Sequence, residues 1–444
     1  MQGVGDTIKR NGLRAELFRG GVGSVLVRLT ATSLGFVVAV ILARSLGPAT
    51  YGIYTFILAL LHVLATPAVM GLPQLMVRET ATAQADENWG LMRGLWRWCT
   101  LTVVIFSIAI AILSGIVVWL LIDQMAEPKA KTLLVGLLLV PFLALAKLRG
   151  AALSGLRFVV LGQLPESIIR PALLVLLVLL CLLVYPESWL TAVTTMSLHV
   201  VSTVMAFVVG TWLLWRLRPV ELTRHPKPLY QSSTWIASAV PLAMIAGVQI
   251  INQYTDILML GFMRTDAEVG VYRVVGQTTM LVLFGLHVVN RVVAPHFARM
   301  HNQGDADGLQ RLVTLSARAV LAFALPVVLV FLFYGRELLV WIFGEAYGAG
   351  YAVLAILAVG QLVNASFGSV GYLLNMTGHE RDTLRGVMVA AIANILLNLV
   401  LIPLYGIEGA ALATATTMVV WNVILWWAIR LRLGINSSAI GTAR

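Results

Sequence analysis

Long apolar runs dominate the chain, separated by short polar turns. In helical conformation ~20 predominantly apolar residues cross a bilayer core. Hydrocarbon offers backbone polar groups no water, so each crossing must be a helix or part of a closed barrel. The runs lack the alternation of a barrel strand. They predict twelve helices, over 21–43, 51–71, 95–121, 132–146, 161–185, 189–215, 235–263, 270–294, 312–334, 351–374, 387–403 and 409–429. The first run is too long for a cleavable signal peptide, contains Arg28, and has no small-x-small site after it. The fold class expected is an all-α polytopic membrane protein.

Composition agrees. Of 444 residues, 59% are hydrophobic and 11% charged, whereas a soluble domain carries about a quarter charged residues. A soluble enzyme is excluded. The formal charge of +11 comes from 31 Lys and Arg against 20 Asp and Glu. In a membrane protein that excess is chiefly a topology signal, with a share available to an anionic substrate, and it gives no reason to expect nucleic acid. With the N-terminus inside, 21 of the basic residues fall in cytoplasmic segments and six outside, and Arg28, Arg170, Arg291 and Arg318 lie within spans. The positive-inside rule and an even number of helices then place both termini in the cytoplasm. Cys99 and Cys181 form neither a disulfide framework nor a metal spacing.

The one long polar linker, 216–231, carries Pro219, Pro226 and Pro228. It divides the chain into an N-terminal six-helix bundle (1–215) and a C-terminal one (232–444). Leu46-Gly47 through Gly52-Ile53-Tyr54 has a counterpart in Leu260-Gly261 through Gly270-Val271-Tyr272, and Gly155 has one in Gly378. Six helices per half give both halves the same orientation, a parallel repeat about the membrane normal. A central cavity between two bundles that rock is the mechanical consequence expected.

The run 36–54, FVVAVILARSLGPATYGIY, resembles the first helical hairpin of polysaccharide flippases of the multidrug/oligosaccharidyl-lipid/polysaccharide exporter superfamily. The likeness rests on Ala43-Arg44-x-Leu46-Gly47-Pro48 and Tyr51-Gly52-x-Tyr54. Gly71-Leu72-Pro73, Arg78-Glu79, Asp256 and Gly270-x-Tyr272 support it. The resemblance implies alternating-access movement of an undecaprenyl-pyrophosphate-linked oligosaccharide across the bacterial inner membrane. That step feeds lipopolysaccharide O-antigen, capsule or exopolysaccharide synthesis. Lipid-linked oligosaccharide, membrane lipids, a polysaccharide polymerase and chain-length machinery are the partners it implies.

Polar groups inside the membrane are costly and tend to face a bundle interior or a wet cavity. Arg28, followed by Thr32 and Gly35, lines the cavity and attracts pyrophosphate, or reaches to inner-leaflet phosphates. Gln249, Asn252, Gln253 and Asp256 share one helix face. They either contact sugar hydroxyls, with Asp256 binding a coupling proton or sodium ion, or bond neighbouring helices. Arg273, Gln277, His287 and Arg291 form a second stripe, with Arg291 a pyrophosphate candidate or, like Arg273, an anchor at a membrane surface, and His287 a proton relay or a structural histidine. Glu166 and Arg170, between Pro165 and Pro171, read as an i,i+4 ion pair at a proline-distorted site. The alternative leaves Arg170 partly free for the anion. Gln361, Asn364, Gly368 and Asn375 line one side of the tenth helix, and Asn394 and Asn398 one side of the eleventh, as packing groups or ligand contacts.

The chain has no P-loop, HExxH, GxSxG or CxxC motif, and a non-enzymatic transporter without a cofactor is expected, apart from a coupling H+ or Na+. A multidrug exporter of the same superfamily is the nearest alternative. Such exporters tend to need membrane carboxylates for cationic drugs, whereas the first helix here carries Arg28 and no acid. A lipid II flippase typically has two further helices. The charged loop signature of a major-facilitator carrier is absent. A membrane-embedded glycosyltransferase or polymerase needs a large catalytic loop, and no outside loop exceeds roughly twenty residues, the length of one span.

Overall fold

The computed structural model describes residues 2–186, 189–224 and 227–441. Side chains are described at 23 and from 26 onward, apart from 245, 287, 288 and 291 within those stretches. Among the described residues there is no strand. The helices are α1 (Gln2–Val69), α2 (Leu72–Ala85), α3 (Trp89–Leu120), α4 (Glu127–Leu137), α5 (Leu139–Gly155), α6 (Val159–Leu164), α7 (Arg170–Val184) and α8 (Ala192–Leu217). They continue with α9 (Glu221–Arg224), α10 (Ser232–Met263), α11 (Asp266–Asn302), α12 (Ala306–Phe343), α13 (Tyr351–Phe367), α14 (Val370–Met376) and α15 (Glu380–Leu433).

Ten described stretches are long and apolar enough to cross a membrane. Two are too long for a single crossing. Leu26–Val69 has 44 residues and Glu380–Leu433 has 54, which at 1.5 Å per residue is about 66 and 81 Å against a hydrocarbon core of about 30 Å. Each is broken at one glycine whose backbone is not helical: Gly47 (φ 70°, ψ 168°) and Gly406 (φ 61°, ψ −133°). Counting each as a pair of spans gives twelve crossings, as the apolar runs predict. Short helices combine in the other crossings. α4 with α5, and α6 with α7, each make one apolar stretch. A π-helical turn over Pro165–Ile169 joins α6 to α7. It lies between Pro165 and Pro171, the kind of site where proline removes a donor and the ladder widens.

The chain packs as two compact units. One comprises the chain up to Ile41 with Ile57–Ile250, the other Leu42–Phe56 with the chain from Ile251 on. The division therefore falls inside α1 and α10, whereas the expected boundary lies in 216–231. The linker packs on the first unit: the Leu229 amide donates to the Gly90 carbonyl at 2.9 Å, and Leu222 is buried with Ala83, Met92 and Leu156. The core of that unit gathers Leu72, Leu75, Met76, Leu95, Val103 and Trp235. Gly71, in the left-handed region at φ +72°, lets α2 begin against α10, where a Cβ would stand 2.6 Å from the Ala243 nitrogen.

In the second unit the 42–56 elbow crosses α11 at Gly52 and Gly270. A Cβ on Gly52 would lie 1.8 Å from the Asp266 carbonyl oxygen, and one on Gly270 would lie 2.0 Å from that of Pro48. The two glycines that match in the repeat thus meet each other. The Tyr347 hydroxyl donates to the Ala43 carbonyl at 2.9 Å, and Arg44 donates to the Trp341 carbonyl. The segment 435–441 folds back along α12 and α13. Gln310 Nε2 donates to the Asn436 carbonyl at 2.7 Å, Ala439 N to the Ser366 carbonyl at 2.9 Å, and Arg318 Nε to the Ala439 carbonyl at 3.0 Å.

Candidate functional site

One polar cluster is built in each unit, each on helices apolar and long enough to span a membrane. In the first, nothing between Ala146 and Gly150 breaks the helix, so α5 carries Lys147 and Arg149 with it into the apolar stretch Glu127–Gly155. Arg149 is deeply buried, its side chain 4% exposed. Its Nη2 donates to Glu166 Oε1 at 2.6 Å and its Nη1 to the Phe207 carbonyl at 2.9 Å. The guanidinium also lies 5.4 Å from the centre of the Phe207 ring, within range of a cation–π attraction. Room for it comes from Gly210 on α8, where any Cβ would stand 2.1 Å from the Arg149 Cζ. An apolar cavity of about 140 Å³ lies against Arg149, lined also by Met76, Trp96, Leu145, Leu148 and Leu214.

Glu166 sits in the π-helical turn and carries two arginines. Its Oε2 is 4.0 Å from Arg170 Nη1, a looser contact than the 2.6 Å to Arg149. The expected Glu166–Arg170 pair is therefore present at the limit of an ion pair, and Glu166 is turned chiefly to Arg149. Arg170 remains about a quarter exposed. Lys147 is exposed and makes no hydrogen bond or ion pair among the described residues.

The second cluster surrounds Asp256. Its Oδ2 accepts from the Tyr272 hydroxyl at 2.9 Å and from the Thr414 hydroxyl at 2.5 Å; its Oδ1 accepts from Asn398 Nδ2 at 2.9 Å. The same Asn398 amide donates to the backbone and side-chain oxygens of Asn394 at 3.0 and 3.1 Å. That leaves Asn398 Oδ1 a buried acceptor with no hydrogen-bond partner among the described residues. Donors from α11 and both arms of α15 thus hold one carboxylate of α10. Hydrogen bonds to a charged group contribute about 1.5–3 kcal/mol each.

The remaining sequence candidates fall in several places. Arg28 is exposed and has no carboxylate partner among the described residues; Thr32 Oγ1 donates to its carbonyl at 2.9 Å. Gln249, Asn252 and Gln253 are exposed. Gln249 belongs to the first unit and the other two to the second, so the stripe on α10 runs across the division. Gln277 is half-buried. Gln361 is buried and accepts from Asn364 at 3.3 Å, while Asn364 accepts from Asn422 at 2.9 Å; this chain ties α13 to α15. The side chains of His287 and Arg291 lie outside the described residues.

Sequence reasoning missed Lys147, Arg149 and Thr414. The first two were placed in a cytoplasmic loop because the fourth apolar run stops at the first basic residue. The unbroken helix-forming stretch up to Gly150 is the signal that carries them into the apolar helical stretch Glu127–Gly155. They are two of the 21 basic residues assigned to the cytoplasm. Thr414 is one of three threonines in 409–429, and nothing in the sequence sets it apart from Thr416 and Thr417.

The chain was compared with known proteins. Its residues 17–301 match the family model described as polysaccharide biosynthesis protein. Over 415 residues it is 21% identical to the probable low-salt glycan biosynthesis flippase Agl15 of Haloferax volcanii, covering 92% of this chain and 82% of that one. Over 174 residues it is 25% identical to the probable flippase AglR of the same organism, covering 38% and 36%. Among solved structures it is similar to the lipid II flippase MurJ in an inward closed conformation, with TM-score 0.70 at 14% identity over 92% of this chain and 87% of that one. It is also similar to an inward-facing multidrug resistance MATE family transporter of the MOP superfamily, with TM-score 0.74 at 12% identity over 92% and 98%. At such identities the structural likeness establishes the fold. The match to the family model spans more than half of the residues, and the chain belongs to the polysaccharide biosynthesis protein family, as a multi-pass membrane protein with the fold of the multidrug/oligosaccharidyl-lipid/polysaccharide exporter superfamily.

Proposed function

We propose that this protein is a flippase that moves a polyprenyl-pyrophosphate-linked oligosaccharide across its membrane by alternating access, with no enzymatic step. In a bacterial inner membrane the carrier would be undecaprenyl pyrophosphate and both termini cytoplasmic. The observation that carries the reading is the excess of cations over carboxylates in the cluster of the first unit, on stretches apolar enough to span a membrane. Arg149 and Arg170 share the one carboxylate Glu166, and Lys147, two residues from Arg149 on α5, has no ion pair among the described residues. An excess of cations away from water is tolerable when a polyanion joins them, and guanidinium groups suit phosphate oxygens. A carrier of cationic drugs would place carboxylates there. Family membership supports the same reading, as do relatives named as flippases. Arg28, Arg170 and Arg291 are the proposed diphosphate contacts, and Gln249, Asn252, Gln253, Gln277, Gln361 and Asn364 the proposed sugar contacts. His287 remains a proposed proton relay. A polymerase and chain-length machinery are proposed as the partners that consume the cargo.

Asp256 is the proposed coupling group. Its carboxylate, the two Asn394 oxygens and the orphaned Asn398 Oδ1 make an oxygen donor set with a single charge, which fits a proton or a monovalent hard cation. Bound there, the ion would supply charge to the carboxylate and compete with the Tyr272 and Thr414 hydroxyls for it. The direct test is reconstitution into proteoliposomes with a fluorescent short-chain polyprenyl-pyrophosphate oligosaccharide. Protein-dependent loss of the label from one leaflet is expected. The proposal fails if the label stays while a polyprenyl-free cationic dye is moved.

A further inference from the structure

The cluster of the first unit holds more than a list of cations. Arg149 is buried and fixed from several sides: Glu166 and the Phe207 carbonyl accept from it, the Phe207 ring lies against it, and Gly210 makes the space it fills. The cavity beside it is lined by apolar side chains and two threonines and presents no carboxylate. Glu166 is accordingly the one described counter-charge of Arg149. Losing either partner of a buried pair strands a charge, so the pair is mutually binding.

Arg170 and Lys147 are in the opposite situation. Arg170 touches Glu166 only at 4.0 Å and is partly exposed. Lys147 is exposed and without a partner among the described residues. Lys147 stands two residues from Arg149 on α5, and Glu166, the carboxylate that Arg149 holds, also touches Arg170. If Glu166 were not held by Arg149, it would reach Arg170, its i,i+4 neighbour, and neutralise it. Glu166 lies in the π-helical turn, and Gly210 leaves the room that Arg149 needs to hold it.

We propose that Arg149 is a positioning residue which sequesters Glu166, and that Arg170 and Lys147 thereby form a two-cation seat for the diphosphate of the carrier lipid, with Lys147 as a second phosphate-gripping group. The inference rests on the flippase reading above and adds to it the residue that keeps the seat charged and a ligand residue on α5. Arg170 and Lys147 touch the diphosphate; Arg149 acts through Glu166.

The test uses the full chain in phosphatidylcholine nanodiscs, with inorganic pyrophosphate as the probe and calorimetry as the readout. Arg170→Gln and Lys147→Gln each weaken binding about tenfold, the size of one charge-assisted contact. Arg149→Met weakens it by about as much, although it removes no ligand contact, because the released Glu166 occupies Arg170. Glu166→Gln binds as well as the unsubstituted protein or better. Arg149→Met with Glu166→Gln returns to within about threefold of it. This rescue is what a merely structural role would not give. A double variant as weak as Arg149→Met overturns the positioning role, and unchanged binding by Lys147→Gln removes Lys147 from the seat. If the single variants do not fold, the double variant, which strands no charge, decides alone: binding more than about threefold below the unsubstituted protein overturns the positioning role. Unchanged binding by Arg170→Gln, or none by the unsubstituted protein, sinks the diphosphate reading itself.

Discussion

At the scale of single residues, the membrane makes every polar group account for its partner. Arg149 illustrates the energetics. Breaking a buried pair by removing one member costs about 3–5 kcal/mol, whereas replacing both members by groups of similar volume is often neutral. Arg149→Met should therefore lower the thermal melting midpoint of the purified protein sharply, and Arg149→Met with Glu166→Gln should recover most of it. Equal midpoints for the two would show that Glu166 finds another partner. Asp256 gives a second prediction. Asp256→Asn keeps the shape of the cluster but removes its charge, so any stabilisation of the protein by added sodium, or any proton dependence of transport, should disappear. Persistence of both in Asp256→Asn would move the coupling site elsewhere. Asp256 was legible in the sequence because four polar residues at helical spacing are conspicuous in an apolar helix. Its partners were only half legible: Asn394 and Asn398 were visible as a polar pair, but no pattern tied Tyr272 or Thr414 to the same carboxylate.

At the scale of elements, glycine separates what sequence and structure say. By propensity alone, Gly→Ala within a helix stabilises by about 1 kcal/mol. The crossing of 42–56 over α11 reverses this at Gly52, where the added methyl would lie 1.8 Å from a carbonyl oxygen. Gly52→Ala should destabilise by more than about 3 kcal/mol, beyond ordinary overpacking. Gly47 has open space around its Cβ position and pays only for its φ of +70°, so Gly47→Ala should cost about 1–3 kcal/mol. Thermal melts of the two variants check the ranking, and a Gly52→Ala protein as stable as the unsubstituted one would contradict the crossing. The 435–441 segment makes a comparable element. Its removal leaves Gln310 and Arg318 without their carbonyl partners, each worth about 1–3 kcal/mol. A truncated chain should melt earlier and exchange the amides of α12 faster.

At the scale of the whole molecule, the prediction concerns topology. Twelve crossings with both termini cytoplasmic place Lys129 outside and Arg224 inside. In a variant lacking Cys99 and Cys181, a cysteine at 129 should react with an impermeant maleimide in intact cells, and one at 224 only after lysis. The reverse result would invert the orientation read from the basic residues. The number of crossings was legible because hydrophobic length is a one-dimensional quantity, and so was the pairing of spans at Gly47 and Gly406, where short polar breaks interrupt the runs. The boundary between compact units was not. Leu42–Phe56 is continuous in sequence with the first helices yet packs with the chain from Ile251 on, and no hydropathy pattern records which neighbours a span will meet.

The sequence by itself determined the solvent this protein lives in, the count of its helices, its family resemblance and the polar residues that must find company. All of these follow from local composition, because hydrocarbon sets the same requirement for every span. Only the tertiary structure decided which carboxylate neutralises which guanidinium, and so which cations are left for an anion. A salt bridge or a hydrogen bond depends on distances of a few ångströms between residues apart in sequence, such as Arg149 and Glu166 or Asp256 and Thr414. Those distances are set by how the helices pack.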